Sequence, residues 1–317
     1  MWVILAFVSA LCLGFYDISK KIALRDNSVV DVLTASVLIS SGILVVPLLL
    51  SRLAPEAMSG TLFYVPQMGW QGHLLTTIKS IIVLSSWVFA YIALKHLPIS
   101  IVSPWQATRP MWTLIGALLI FGERLNSWQW VGVILAIATI FILSFFNGGN
   151  RKKELLGKAG ISRLSHEPNA KYYLCLALAI LIGAASGLYD KYMMRHFDHN
   201  AVQVYYTLYQ GILMTLLCYI HHARHGTHPT LHGGENGLAL LAIPLISVFL
   251  VMSDNVYMLA LQDPDSMIAV VSTIRRGGTV IGFAYGLIFL KEQDPWKKVL
   301  SMIGILAGLI CLAIGSL

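Results

Sequence analysis

The sequence predicts an all-α membrane protein with ten transmembrane helices arranged as two inverted five-helix repeats. Hydrophobic residues make up 57% of the 317 residues and charged residues only 12%, whereas a soluble domain has about 25% charged residues. The apolar residues also form long runs, such as 32–50 and 99–121, and a helix needs roughly 20 such residues to cross a bilayer. Composition and run length together therefore predict a chain that crosses the membrane many times.

Turn-forming residues separate ten apolar segments. Pro55 and Gly60 follow the second segment, Pro98 precedes the fourth and Pro264 precedes the ninth, as expected for residues that interrupt helices. No basic residues precede the first apolar run, so we expect a retained span and not a cleaved leader. The predicted spans are residues 1–20, 31–51, 72–94, 99–121, 128–146, 171–190, 201–221, 237–261, 266–290 and 297–316.

The two halves of the chain repeat one pattern. Residues 14–17 match residues 187–190 at one fixed offset. At a second offset, five residues of each half correspond: Tyr91, Pro98, Ser100, Arg109 and Gly116 match Tyr257, Pro264, Ser266, Arg275 and Gly282. Because each half has an odd number of spans, the second half must enter the membrane in the opposite sense. We therefore predict a first repeat over 1–146, a basic linker over 147–170 and a second repeat over 171–317, with a substrate site near the bilayer midplane.

The end of each half resembles a known transporter family. Residues 121–125 (FGERL), followed by the glycine-containing apolar segment 130–136, are similar to the turn and last helix of the repeat in the EamA family of the drug/metabolite transporter superfamily. Residues 290–293, followed by 303–308, form a looser second copy. The resemblance covers nearly the whole chain except the linker. It implies a multi-pass transporter of small metabolites, which we expect in a bacterial cytoplasmic membrane, and it does not imply a substrate.

One arginine in each half lies near the middle of an apolar segment. Arg109 is in the fourth predicted span and Arg275, followed by Arg276, is at the equivalent position in the ninth. An arginine at the bilayer centre costs roughly 2.5–3.5 kcal/mol on insertion scales, so it should face a cavity or a partner. A guanidinium matches carboxylate or phosphate, which predicts an anionic substrate. The alternative is that each arginine is neutralised by an acid such as Asp254, or caps carbonyls near a helix break.

Polar and aromatic residues of neighbouring segments complete the predicted substrate site. Lys79 and Asp254 lie in the third and eighth predicted spans, towards the same face, and are predicted to form a charge pair beside the cavity. Aromatic residues in spans more often serve packing or interfacial anchoring, and this remains the alternative for the aromatic members of the wall. The predicted walls are Trp87, Trp105, Gln106, Asn255 and Tyr257.

Two aspartates occupy equivalent positions near the ends of the first and sixth predicted spans. Asp17 has Lys20 at helical spacing, and Asp190 is followed by Lys191. We predict that these four residues, with Asp254, gate the two ends of the pathway or couple transport to a proton. The alternative is that each pair is an interfacial ion pair that caps a helix end.

Other functional classes have little support in the sequence. There is no HExxH motif, GxSxG elbow or glycine-rich phosphate loop, and the symmetry places Asp17 and Asp190 too far apart for an aspartyl dyad. We therefore predict no enzyme and no cofactor. No base-stacking residues accompany the basic linker, so we expect no nucleic acid. GxxxG spacings at 183–187, 282–286 and 304–308 allow close packing of helices. We expect a monomer, with a homodimer through the fifth and tenth spans as the alternative.

A run of histidines at the end of the seventh span raises the question of a metal. His221, His222, His225, His228 and His232 crowd one segment, and such runs can bind transition metals. Flexible polar loops also carry histidines without a role, and we predict no metal site.

The predicted function is secondary transport of a small organic anion, bearing phosphate or carboxylate, by alternating access. The alternatives with the same fold are a flippase for lipid-linked substrates and an exporter of neutral or amino-acid metabolites. The orientation stays open: the basic linker predicts a cytoplasmic linker with both termini outside, whereas the resemblance implies cytoplasmic termini.

Overall fold

A computed structural model describes residues 1–24, 27–97, 102, 105–106, 108–139, 142, 170–233, 237–278, 280–281, 284 and 295–316. Over these ranges the secondary structure is helical and contains no strand. Several predicted features lie outside the described residues: Pro98, Ser100, Gly282, the spacing 282–286, the motif copy at 290–293, the linker up to residue 169 and the side chain of Tyr91.

Helices follow one another along the described chain. Six of them, α1, α2, α4, α7, α8 and α9 as labelled below, are long and apolar enough to cross a membrane, which confirms an all-helical, multi-pass membrane protein. The remaining predicted spans overlap with α5, α6, α10 and α11, and the complete ten-span, two-repeat arrangement stays a prediction. The helices are α1 Trp2–Ala23, α2 Val29–Leu53, α3 Pro55–Met58, α4 Trp70–His96, α5 Arg109–Ile120, α6 Ser127–Thr139, α7 Ala170–His196, α8 His199–His225, α9 Leu238–Gln262, α10 Ile268–Arg276 and α11 Pro295–Gly315.

Side chains and backbone geometry explain where several helices begin and end. Ser28 precedes α2, and its hydroxyl accepts a hydrogen bond from the backbone N–H of Asp31 at 3.2 Å. Asp198 caps α8 by accepting hydrogen bonds from the backbone N–H groups of Asn200 and Ala201. These are the usual N-cap residues. The helix α8 ends at His225 and is followed by Gly226, whose φ of 61° lies in the left-handed region that favours glycine.

The chain packs as two compact units that do not coincide with the predicted halves. The first unit contains residues 1–84 and 190–266, and the second contains residues 85–189 and 267–317. Each unit therefore combines residues from both halves of the sequence. These units describe packing alone, and the predicted division into repeats stays a prediction.

In the first unit, α1 packs against α9, and α2 packs against both α8 and α9. Serine hydroxyl groups form hydrogen bonds across these helix interfaces. The Ser9 hydroxyl donates to the Ser253 carbonyl at 2.8 Å, and the Ser247 hydroxyl donates to the Ser36 carbonyl at 2.8 Å. Small residues with interhelical hydrogen bonds are typical of helix packing in lipid, where apolar side chains gain little by leaving the bilayer.

In the second unit, α10 packs against α5 and α11, while α6 packs against α11. The last of these contacts depends on two glycines. A Cβ added at Gly308 would lie 2.9 Å from the Gly132 carbonyl oxygen and 2.9 Å from the Ala136 nitrogen. The GxxxG spacing at 304–308 therefore serves packing inside this chain.

The FGERL segment that follows α5 connects two helices. Gly122 has a φ of 63°, so the turn after α5 uses the left-handed region. The next residue, Glu123, accepts hydrogen bonds from the backbone N–H groups of Ile268 at 2.6 Å and Ala269 at 3.1 Å. Because Met267 provides no side-chain cap for α10, the Glu123 carboxylate satisfies the first free N–H groups of that helix.

Candidate functional site

Arg109 opens α5 and reaches the middle of α7. Its Nη2 donates to the Ser86 hydroxyl at 3.0 Å, and that hydroxyl in turn donates to the Ala179 carbonyl at 2.9 Å. The guanidinium lies over Gly183, where an added Cβ would be only 1.4 Å from Nη2. Gly183 is the central residue of α7, thirteen residues from either end. The half-buried guanidinium therefore lies at mid-length of a helix long enough to cross the membrane.

A second glycine continues the surface on which α5 packs. One turn after Arg109, the Thr113 methyl group lies 4.0 Å from the Cβ position of Gly187. The two glycines are four residues apart and hence share one face of α7. The GxxxG spacing at 183–187 thus provides a shallow surface on α7 that accommodates α5 and its first side chain.

Arg275 and Arg276 form the last turn of α10 and are half-buried. Because α10 packs against α5, both arginine-bearing helices belong to the same packed unit. The end of α10 that carries Arg275 and Arg276 differs electrostatically from the end of α5 that carries Arg109. The C-terminal end of a helix carries partial negative charge and stabilises a cation, whereas the N-terminal end, where Arg109 lies, carries partial positive charge and attracts an anion.

Lys79 and Asp190 form an ion pair in the first unit. Lys79 is 2% exposed, and its Nζ lies 2.6 Å from Asp190 Oδ1 and 4.4 Å from the centre of the Tyr206 ring. The acid that contacts Lys79 is thus Asp190, which lies inside α7 because that helix continues to His196. The predicted pair of Lys79 with Asp254 stays a prediction.

Lys191 has different partners from its neighbour Asp190. It is fully buried at 0% exposure. Its Nζ donates to the carbonyl oxygens of Leu261 at 3.1 Å and Asp263 at 3.3 Å, and makes a short hydrogen bond with the Ser266 hydroxyl. The ammonium group therefore caps the C-terminal end of α9, where free carbonyls and the helix dipole both favour a cation. Capping was the alternative considered for this residue, although the capped helix is a different one.

The equivalent aspartates have unequal surroundings. Asp17 is exposed on α1, whereas Asp190 is 9% exposed and paired. The Nζ of Lys20, the predicted partner of Asp17, lies 5.6 Å from the centre of the Tyr16 ring. Asp254 is half-buried on α9. The sequence match between Asp17 and Asp190 thus does not extend to their environments.

The predicted wall residues fall into both units. Trp105 is 43% exposed with its ring centre 6.5 Å from that of Tyr173, and Gln106 is half-buried beside it. In the first unit, Tyr257 is 4% exposed. Asn255 donates hydrogen bonds to the side chains of Asn200 at 2.9 Å and Gln203 at 2.8 Å. The Asn255 amide therefore joins α9 to α8.

Sequence reasoning missed three residues that the structure emphasises. Ser86 is one of many serines in apolar segments, and no pattern distinguishes it as the partner of Arg109. Asp31 lies in the first turn of α2, where an acid ordinarily serves the helix dipole. In the structure the Asp31 carboxylate is buried and accepts a hydrogen bond from His222 Nε2 at 2.7 Å. Glu123 was noticed as part of a motif, but its role as a cap for α10 depends on tertiary structure.

Comparisons with known proteins agree with this description. The model of the EamA-like transporter family matches residues 1–145. No curated protein matches the chain. Among solved structures, the crystal structure of one protein aligns with a TM-score of 0.71 over 99% of this chain and 96% of its own, at 14% sequence identity. At that identity the likeness concerns the fold alone.

Proposed function

We propose that this chain, whose residues 1–145 match the model of the EamA-like transporter family, is a secondary transporter of a small organic anion. The family match supports a membrane transporter of small molecules. The anionic character of the substrate, alternating access between the two sides, a bacterial cytoplasmic membrane and a monomeric state are our proposals.

The position of Arg109 carries the proposal. A guanidinium at mid-length of a membrane-crossing helix is expensive in lipid, and the chain accommodates it with a glycine, Gly183, where a Cβ would collide with it. The half-buried side chain keeps partial access to its surroundings. Its planar set of N–H donors matches carboxylate and phosphate better than any neutral group. An anion arriving beside it would gain a charge-assisted contact in a region of low dielectric constant.

The N-terminal end of α5 also attracts an anion. Arg109 is the first residue of that helix, so the positive end of the helix dipole and the positive side chain coincide. Arg275 and Arg276, in the last turn of α10, have part of their charge compensated by the helix end. We therefore assign the principal anion contact to Arg109 and supporting contacts to Arg275 and Arg276. Trp105 and Gln106, in the same unit, are the proposed wall.

For coupling we propose the Lys79–Asp190 pair. An ion pair held away from water separates only with a rearrangement of its helices, which makes it suited to report a change of conformational state. The contacts of Lys191 support a structural role as a helix cap. Asp17, Lys20 and Asp254 stay predicted gating residues, and Tyr257 and Asn255 stay predicted wall residues.

A ligand screen tests the substrate class. Purified full-length protein in detergent is heated with organic phosphates, di- and tricarboxylates, zwitterionic amino acids and neutral sugars. We expect stabilisation by anions, by about 2.7 kcal/mol at a concentration 100 times the Kd, and loss of that shift in Arg109→Gln. Arg224→Gln, at an exposed position on α8, is the matched control and should keep the shift. Stabilisation by neutral or cationic compounds alone would contradict the proposed substrate class.

A further inference from the structure

A thiol, an imidazole and a carboxylate meet at one end of the first unit. Asp31 lies in the first turn of α2, and Cys218 and His222 lie near the end of α8. Their potential ligand atoms are all within 4.8 Å of one another, and all three residues are buried. Cys218 and His222 are four residues apart, so they project from the same face of α8. The cluster therefore joins two helices that are distant in sequence.

The distances are close to those of a metal site. His222 Nε2 is 2.7 Å and Cys218 Sγ is 3.8 Å from the same carboxylate oxygen, Asp31 Oδ1. In a tetrahedral zinc site with the usual bond lengths, neighbouring ligand atoms are roughly 3.3–3.7 Å apart. Small side-chain rotations of Asp31 and His222 would bring the three atoms to that spacing without movement of either helix.

Outer hydrogen bonds hold two of the three groups in place. The second ring nitrogen of His222, Nδ1, is 2.7 Å from the Thr227 hydroxyl. The second carboxylate oxygen of Asp31 accepts a hydrogen bond from the backbone N–H of Thr230 at 3.4 Å. Metal-binding histidines and carboxylates generally have such second contacts, which fix the ring orientation and the tautomer. Cys218 is a free thiol and hence available as a ligand.

We propose that Asp31, Cys218 and His222 bind one divalent cation of the zinc class. Thiolate and imidazole ligands select zinc-class metals, whereas magnesium and calcium require sites made mainly of oxygen. The exposed histidines at 225 and 228, on the same helix end and the following loop, would attract such ions at the surface. Of the histidine run singled out in the sequence, His222 is the buried member. The bound ion would link α2 to α8 and stabilise the fold by mass action.

Metal titration of the full-length protein tests the site. The protein is prepared with a tag that lacks histidine, treated with chelator and titrated with Zn²⁺ by calorimetry and with Co²⁺ by absorption. We expect one tight Zn²⁺ per chain and a thiolate-to-cobalt charge-transfer band that disappears in Cys218→Ser. His222→Gln should abolish tight binding, and Thr227→Val should weaken Zn²⁺ binding by about tenfold to a hundredfold. The controls His225→Gln and His228→Gln should leave both signals unchanged.

Any of the following results would overturn the proposal. Absence of tight binding would identify the contact between His222 and Asp31 as a structural ion pair only. A charge-transfer band that persists in Cys218→Ser, or binding that depends on the controls, would place the ion on the surface. Cys218→Ser changes a single atom and is tested by size exclusion for folding, so the result does not depend on the more disruptive variant. The outcome is independent of the transported substrate.

Discussion

Lys79 and Asp190 form an ion pair between α4 and α7, with 2.6 Å between Nζ and Oδ1 and a lysine side chain only 2% exposed. The sequence places the two residues 111 positions apart, and nothing in their local sequence indicates the pairing. Removing one member of a buried pair leaves an uncompensated charge, whereas replacing both by apolar residues removes the desolvation penalty as well.

Because the two residues form a buried ion pair, we expect mutations of Lys79 and Asp190 to have strongly non-additive effects on the free energy of unfolding. Lys79→Met and Asp190→Leu should each lower the free energy of unfolding by about 3–5 kcal/mol. The double variant should be more stable than either single variant. Unfolding by denaturant of the purified protein measures all three, with Glu56→Gln at an exposed position of α3 as the control. Single variants as stable as the control would show that the pair is not held in a buried environment.

We expect replacement of Lys191 to lower the stability of the protein without a loss of ligand recognition. Lys191→Met keeps the length of the side chain but leaves the carbonyl oxygens of Leu261 and Asp263 without this donor. The Ser266 hydroxyl also reaches both carbonyl oxygens, so the loss is that of hydrogen bonds from a charged donor, about 1.5–3 kcal/mol each, and the melting temperature should fall clearly. Lys171→Met, at an exposed position near the start of α7, should change it little. If Lys191→Met instead keeps its stability and abolishes ligand-induced shifts, Lys191 belongs to the transport pathway.

We expect Glu123, a residue of the FGERL segment, to act by positioning the neighbouring helix α10. Glu123→Ala removes the acceptor for two N–H groups at the start of α10, and loss of an N-cap costs about 0.5–2 kcal/mol. Since α10 ends at Arg275 and Arg276, the affinity for anions should also fall, whereas Glu123→Gln should recover part of both. Thermal unfolding with and without the anion measures the two effects. Equal behaviour of the Ala and Gln variants would argue against the cap.

We expect the variant Gly183→Ala to displace the Arg109 guanidinium while the fold stays intact. The atoms nearest to the Cβ of Gly183→Ala would belong to the flexible Arg109 side chain, so that side chain can move and the protein should fold. Anion-induced stabilisation should nevertheless be reduced. Gly42→Ala on α2, where a Cβ meets nothing within 4 Å, is the matched control. It should keep the shift and gain about 0.5–1 kcal/mol of stability from helix propensity. A Gly183→Ala variant with the full shift would remove Arg109 from the site.

The sequence predicted helices well because a bilayer requires apolar runs of fixed length. The first predicted span, 1–20, corresponds to Trp2–Ala23 and the eighth, 237–261, to Leu238–Gln262. The end of α7 was placed six residues early, since the charged residues after Asp190 suggested an interface, and the helix in fact continues to His196. Hydropathy reports the length of a span and does not report polar residues that stay helical.

The contacts made by the predicted site residues could not be predicted from the sequence. Asp254 was chosen for Lys79 because both lie in apolar segments at similar depth. Which acid a lysine contacts depends on the rotation of each helix about its axis, and composition carries no signal for that rotation. Arg109, in contrast, was singled out because a charge in an apolar run is visible in the sequence itself. Its contacts with Ser86 and Gly183 required the structure.

The most direct test of the proposed function is transport by Arg109 variants in proteoliposomes, using the anion that gives the largest thermal shift. We predict saturable uptake by the wild type, loss of uptake in Arg109→Gln, partial uptake in Arg109→Lys and normal uptake in Arg224→Gln, with equal amounts of inserted protein. Undiminished uptake in Arg109→Gln would contradict the assignment of Arg109 as the principal anion contact.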